Sequence, residues 1–182
     1  MSFQIAAYRP DRELQIIKLI SSIQRDEFGI DITPDQQPDL KSIPSFYQVG
    51  TGNFWVALAD GMVVGTIALK DIGERKAALR KMFVSPSWRG REKGVPRALL
   101  DTLLSWAREK GLDVIYLGTT AQFSAAHRFY EKSGFVEIAK EALPTTFPIM
   151  AVDTRFYKYA VTTPDVSEAG NAARGGKSSP NK

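Results

Sequence analysis

Between Ala77 and Leu100 the chain reads AALRKMFVSPSWRGREKGVPRALL: a strand-like run, a basic glycine-bearing turn and an amphipathic helix in immediate succession. Leu79, Met82, Phe83 and Val84 pattern the strand, and Ser85-Pro86 ends it, because proline offers no N–H to a ladder. Arg89, Arg91 and Lys93 then alternate with Gly90 and Gly94. A helix start leaves backbone N–H groups unpaired and carries partial positive charge, so an anion placed there gains hydrogen bonds and favourable electrostatics together. The stretch is therefore an anion cradle, suited to phosphate or another small polyanion.

Arg91-Glu92-Lys93-Gly94-Val95-Pro96 resembles the Arg/Gln-x-x-Gly-x-Gly/Ala pyrophosphate loop of the GCN5-related N-acetyltransferases. Met82-Phe83-Val84 is similar to the fourth strand of that family, Arg97-Ala-Leu-Leu100 to the start of its third helix, and Ala125-Ala-His-Arg-Phe-Tyr-Glu-Lys-Ser-Gly-Phe135 to its closing helix and strand. A loop alone is a weak signal, and the tyrosine segment at the expected distance downstream makes the pair specific. The resemblance implies that acetyl-CoA is the co-substrate, without a metal. It also implies that Phe83, Val84, Arg89, Arg91, Glu92, Lys93, Gly94, Val95, Pro96 and Arg97 contact it. Two departures stand out. Pro96 replaces a small residue and suits a first helical turn, and Trp88-Arg89-Gly90 precedes the helix glycine by about two residues more than in the family, leaving Arg89 and Arg91 as alternatives for the pyrophosphate.

The 182 residues are 43% hydrophobic, enough for one core, and contain no cysteine, which excludes disulfides, thiolate metal sites and a cysteine nucleophile. The net charge of +4 is spread among residues of both signs, so nucleic acid is not an expected partner. No apolar run is long enough to span a bilayer, and a cytoplasmic protein, monomeric or homodimeric, is expected. The domain is expected over 1–161, and a disordered tail over 162–182, where Gly, Ser, Asn, Ala and Pro dominate.

Phe3 to Tyr8 alternates as a first strand; Asp11 is placed to cap a helix whose stripe of Leu14, Ile16, Ile17, Ile20 and Ile23 runs to about Arg25. From Phe28 to Thr51 prolines break any long helix, though Asp39 to Tyr47 can hold a turn or two; the loop acids Asp31, Asp35 and Asp39 are either solvated or placed to attract an amine. Asp60-Gly61 between Asn53–Ala59 and Met62–Lys70 is a tight hairpin, and a turn over Ile72 to Lys76 leads into the strand from Ala77. A helix to Lys110, a strand from Val114, a helix from Ser124 to Lys132, a strand from Phe135 and a last strand from Met150 to Tyr159 complete the domain. These elements predict an α/β domain with a mixed, mainly antiparallel sheet of six or seven strands flanked by helices.

Acetyl transfer from a thioester requires an uncharged amine, a polarised carbonyl and a proton for the departing thiolate. Tyr130 matches the general acid of the family; the other reading places it in a helix face with Ala126 and Phe129. The polarising N–H belongs near Phe83 or Val84, where the family's strand splays. No base is identified: Ala78 stands where some relatives carry glutamate, and Glu74 and His127 are the alternatives. Phe123 occupies the position of a family asparagine, with Gln122 beside it. The implied function is N-acetylation of a primary amine. A non-catalytic acyl-CoA-binding module is the rival, and Tyr130 discriminates, since binding alone needs no phenol beside a thioester.

Overall fold

A computed structural model describes residues 2–162. The expected tail over 162–182 lies, but for its first residue, outside the described residues. Seven strands form one sheet in the order β1-β2-β3-β4-β5-β7-β6: β1 Gln4–Ala7, β2 Asn53–Ala59, β3 Met62–Gly73, β4 Lys76–Val84, β5 Val114–Thr119, β6 Val136–Ile138 and β7 Arg155–Ala160. Among the described residues only β4 and β5 run parallel, joined by the crossover helix α3, Val95–Glu109. The strand bearing the cradle is fourth of seven and so central.

The two faces bury separate cores. On one, α3 lays Val95, Leu99, Leu100, Leu103, Leu104 and Ala107 onto Ile67, Leu69, Leu79 and Ile115, and α4, Ser124–Lys132, adds Tyr130. Each fully buried aliphatic side chain contributes about 1.5–3 kcal/mol, so this face anchors the helix that opens at the cradle. On the other, α1, Glu13–Ser22, and the short α2, Ile43–Phe46, cover Phe54, Val56 and Ala68 with Ile16, Ile20, Ile43 and Tyr47.

Several boundaries differ from the sequence expectation. Asp11 does not cap α1; it lies in a 3-10 turn, Pro10–Arg12, and the N-cap is Arg12 without a side-chain bond. The helix widens into a π turn at Ile23–Glu27 instead of ending at Arg25. The hairpin at Asp60-Gly61 forms with φ of 49° and 76°, and Ala59 faces Met62 across it. The next turn is Glu74-Arg75, also left-handed at φ of 53° and 59°, because β3 continues through Gly73 to pair with Lys76. The last strand starts only at Arg155: the Asp153 carboxylate accepts the Met150 N–H at 2.9 Å and folds that segment into a turn.

Candidate active site

The parallel partners β4 and β5 pair only from Lys76–Ala78 to Val114–Tyr116. Beyond that rung they splay, and a bulge is the cause. Thr66 faces Phe83 and Ala68 faces Arg80, so Ile67 opposes both Lys81 and Met82. Lys81 adopts φ of 54°, and its carbonyl accepts the Thr66 hydroxyl at 2.7 Å. The extra residue bends β4 away from β5. Backbone groups in an antiparallel ladder alternate between facing the partner and facing away. Ser85 N–H bonds to Val64 O at 2.8 Å, so Phe83 faces β3 while Met82 and Val84 turn their N–H and C=O towards the opening. Of the two positions expected to carry a polarising N–H, Val84 is the one so directed, and Met82, which the sequence did not single out, is the other.

The Val84 carbonyl already has a donor, Arg89 Nε at 2.7 Å. The rest of the Arg89 guanidinium grips Glu27 through two bonds of 2.6 and 2.8 Å. Arg89 therefore ties the loop to the π turn, and the cations facing outward are Arg91, exposed, and Lys93, half-exposed; neither has an ion-pair partner among the described residues. Glu92 folds its carboxylate back over Gly90. Gly94 is the N-cap of α3 in the left-handed conformation, φ 73°, and no atom lies within 4 Å of where its Cβ would be. Both facts favour glycine: the backbone angle strains a side chain, and the bare Cα lets a ligand approach. Pro96 sits in the first turn, Val95 is fully buried, and Arg97 pairs with Asp101 at 3.0 Å. Val95 and Leu99 seat directly over Gly65, which brings the helix start down onto β3.

On the same face as α3, Tyr130 packs its ring against Phe129, Phe135 and Tyr157. Burial pushes the phenol well above its ordinary range, holding it protonated. Tyr130 is buried, and its hydroxyl has no hydrogen-bond partner among the described residues. His127, one turn earlier, is occupied at both nitrogens: Arg155 Nη1 donates to Nδ1 at 3.0 Å, which leaves Nε2–H to donate to Thr120 O at 2.8 Å. Arg155 also holds Glu137 at 2.8 Å, and Tyr157 donates to Glu131 at 2.9 Å. This network clamps α4 to β6 and β7, so His127 orients the helix that carries Tyr130. Phe123 meets Phe28 edge-on at 4.3 Å, and Glu27 holds Arg89, so residues 27 and 28 touch both the loop and the start of α4.

The other face of the opening carries groups that the sequence did not reveal. The bulge sends both Arg80 and Lys81 to the α2 side. Lys81 is buried, its ammonium 2.7 Å from Gln37 Oε1 and 3.4 Å from Asp39, and Tyr47 donates to Asp39 at 2.6 Å. Burial draws Lys81 down from the usual lysine range, against the pull of Asp39. Of the loop acids, Asp39 is thus part of the core, whereas Asp31 and Asp35 are exposed and Asp35 pairs with Lys41. Glu74 lies at the far end of β4, paired with Lys76 at 3.0 Å, remote from the splay. A wide depression of about 400 Å³ on the outer side of α3, lined by Trp55, Asp101, Trp106 and Glu109 among others, includes no loop or splay residue.

Known proteins resemble this chain in sequence and in fold. The family described as "Acetyltransferase (GNAT) family" matches residues 17–135. An acetyltransferase of the GNAT family from Staphylococcus aureus Mu50 superposes with a TM-score of 0.84 at 38% identity, over 88% of this chain and 100% of that one. An acetyltransferase from Streptococcus agalactiae does so at 0.82 and 32% identity, over 87% and 98%. The PaiA N-acetyltransferase of Thermoplasma acidophilum, solved with coenzyme A, shares the fold at 0.66 and 21% identity, over 88% of this chain and 99% of that one. Among curated proteins, the N-acetylaspartate synthetases of Danio rerio and Homo sapiens are 36% and 38% identical over 104 and 99 residues. The match spans 56% and 53% of this chain but only 36% and 32% of theirs. With splay, loop and closing helix in the family's order and the family pattern matched over most of the domain, the chain belongs to the acetyltransferase (GNAT) family.

Proposed function

We propose that this protein is an acetyl-CoA-dependent N-acetyltransferase that moves the acetyl group directly from the thioester to a primary amine. The observation that carries this reading is the edge of β4 left without a strand partner at Met82 and Val84, opening beside the α3 N-terminus, where the Val84 carbonyl is held by Arg89 Nε and its N–H faces the opening. The pantetheine amides add to that edge as a strand would, and the pyrophosphate meets the loop from Arg89 to Arg97, with Arg91 and Lys93 as the free charges. In the reaction the amine nitrogen attacks the carbonyl carbon, the C–S bond breaks, and the thiolate takes a proton from the Tyr130 hydroxyl. The proton shed by the amine restores the phenol. The N-acetyltransferase names of the relatives and the coenzyme A bound by the Thermoplasma protein support the reading. That the Tyr130 hydroxyl makes no hydrogen bond among the described residues favours catalysis over a module that only binds acyl-CoA.

Calorimetry tests the cofactor half. CoA should bind far more tightly than its pantetheine fragment, and replacing Arg91 and Lys93 together by glutamine should weaken CoA about 10-fold and flatten its salt dependence. Equal affinity for CoA and pantetheine would remove the loop from the site.

A further inference from the structure

Extending the register of the last β4–β5 rung by two residues sets Arg80 opposite Gly118 at the mouth of the splay, on the face covered by α2. Arg80 is half-exposed, with its guanidinium 5.6 Å from the Phe46 ring and 6.0 Å from that of Tyr47, and one nitrogen 3.5 Å from Met150 Sδ. Lys70 shares the Phe46 ring at 4.0 Å. Aromatic faces and a thioether fix a guanidinium in place but leave its charge unanswered, and Arg80 makes no ion pair among the described residues. Its neighbour Lys81 does not compete for a ligand, since Asp39 and Gln37 already hold it.

Across the opening stands Asp153. Its Oδ2 lies over Gly118, so close that a methyl group there would be 2.6 Å away. Among the described residues it accepts only the Met150 N–H, at 2.9 Å. Burial raises this carboxyl while the charge of Arg80 opposes the rise. The two groups therefore feel each other yet stand beyond ion-pair distance. Opposite charges held apart over a cleft present a complement to a ligand carrying the reverse pair.

We propose that the acceptor is an amino acid, its carboxylate held by Arg80 and its ammonium by Asp153, across the mouth of the β4–β5 splay. This rests on the acetyl-transfer reading and names the substrate class for that site. The nitrogen is thereby placed on the acceptor face, next to the strand edge where the thioester lies; the bound ammonium gives up one proton to solvent before the neutral amine attacks, and an amine lacking the carboxylate loses half of its anchorage.

The test measures CoA release with the twenty L-amino acids, pairing each one accepted with its decarboxylated amine. Amino acids should be accepted, and their decarboxylated partners should fall about 30- to 100-fold in kcat/KM, the loss expected for a charge-assisted bidentate contact. Arg80→Gln should raise the amino-acid KM by a similar factor and erase the preference, with the KM for acetyl-CoA unmoved; Arg80→Lys should restore part of it. Asp153→Asn should raise the KM of acid and amine alike. Amines accepted as well as their parent acids, or a preference unchanged in Arg80→Gln, overturns this inference and leaves the transferase reading standing. Absence of CoA release with every compound overturns both.

Discussion

Asp39→Asn is expected to destabilise the fold by about 3–5 kcal/mol at neutral pH, the cost of leaving one member of a buried ion pair uncompensated. Asp39 and Lys81 have side chains 8% and 7% exposed, and Asp39 is the only carboxylate near the ammonium among the described residues. Asparagine keeps an acceptor for the Tyr47 hydroxyl but removes the charge, so Lys81 must stay ionised in a dry site or give up its proton. The sign of the pH dependence follows. The pKa of Lys81 is already depressed by burial and falls further in the variant. Between that lowered value and the ordinary one near ~10.4, the unfolded chain binds a proton that the native state does not, so stability rises with pH and the deficit shrinks. Urea unfolding at pH 7 and 9.5 checks both points. The double variant Asp39→Asn, Lys81→Met should recover much of the loss, because the uncompensated charge is then gone. An unaltered unfolding midpoint in the single variant, or a double variant no better than the single, would refute the account.

Local chemistry was legible in the sequence where a residue type answers to one backbone state. Asp60-Gly61 announces a left-handed turn, and Gly94 with the cations before it announces the helix start; both form as expected. Glu74-Arg75 adopts the same left-handed angles with no residue that favours them, so the turn is imposed by the pairing of Gly73 with Lys76. The splay expected near Phe83 and Val84 comes from a bulge at Lys81, a position that no glycine marks in the sequence. Its trace is chemical, since Arg80 and Lys81 are adjacent cations inside a strand of Ala, Leu, Met, Phe and Val, and strict alternation would bury one of them without company. Pairings over long separations left no mark, as with Glu27 and Arg89 or Asp39 and Lys81. Asp153 escaped notice because a continuous strand from Met150 to Tyr159 fits its alternation, and the turn that interrupts it is held by the side chain of Asp153 itself.

Tyr130→Phe should lower kcat by about 10²- to 10⁴-fold, equivalent to roughly 3–5 kcal/mol of barrier, while cofactor affinity changes little. The substitution deletes one oxygen and keeps the ring among Phe129, Phe135 and Tyr157. Since the hydroxyl has no partner among the described residues, its loss breaks no hydrogen bond within the fold, and stability should be nearly unchanged. A phenol near ~10 protonates a thiolate whose conjugate acid lies near ~8.5 only uphill in water. Burial raises the phenol further, but the same dry environment raises the basicity of a thiolate formed beside it, so the gap between donor and acceptor does not widen with burial. Because the phenol is held protonated, its ionisation should not limit the rate at neutral or mildly alkaline pH. Single-turnover measurement of thiol release isolates the chemical step. If Tyr130→Phe retained nearly full single-turnover rate, the thiolate would be taking its proton from solvent, and Tyr130 would be only a packing residue of α4.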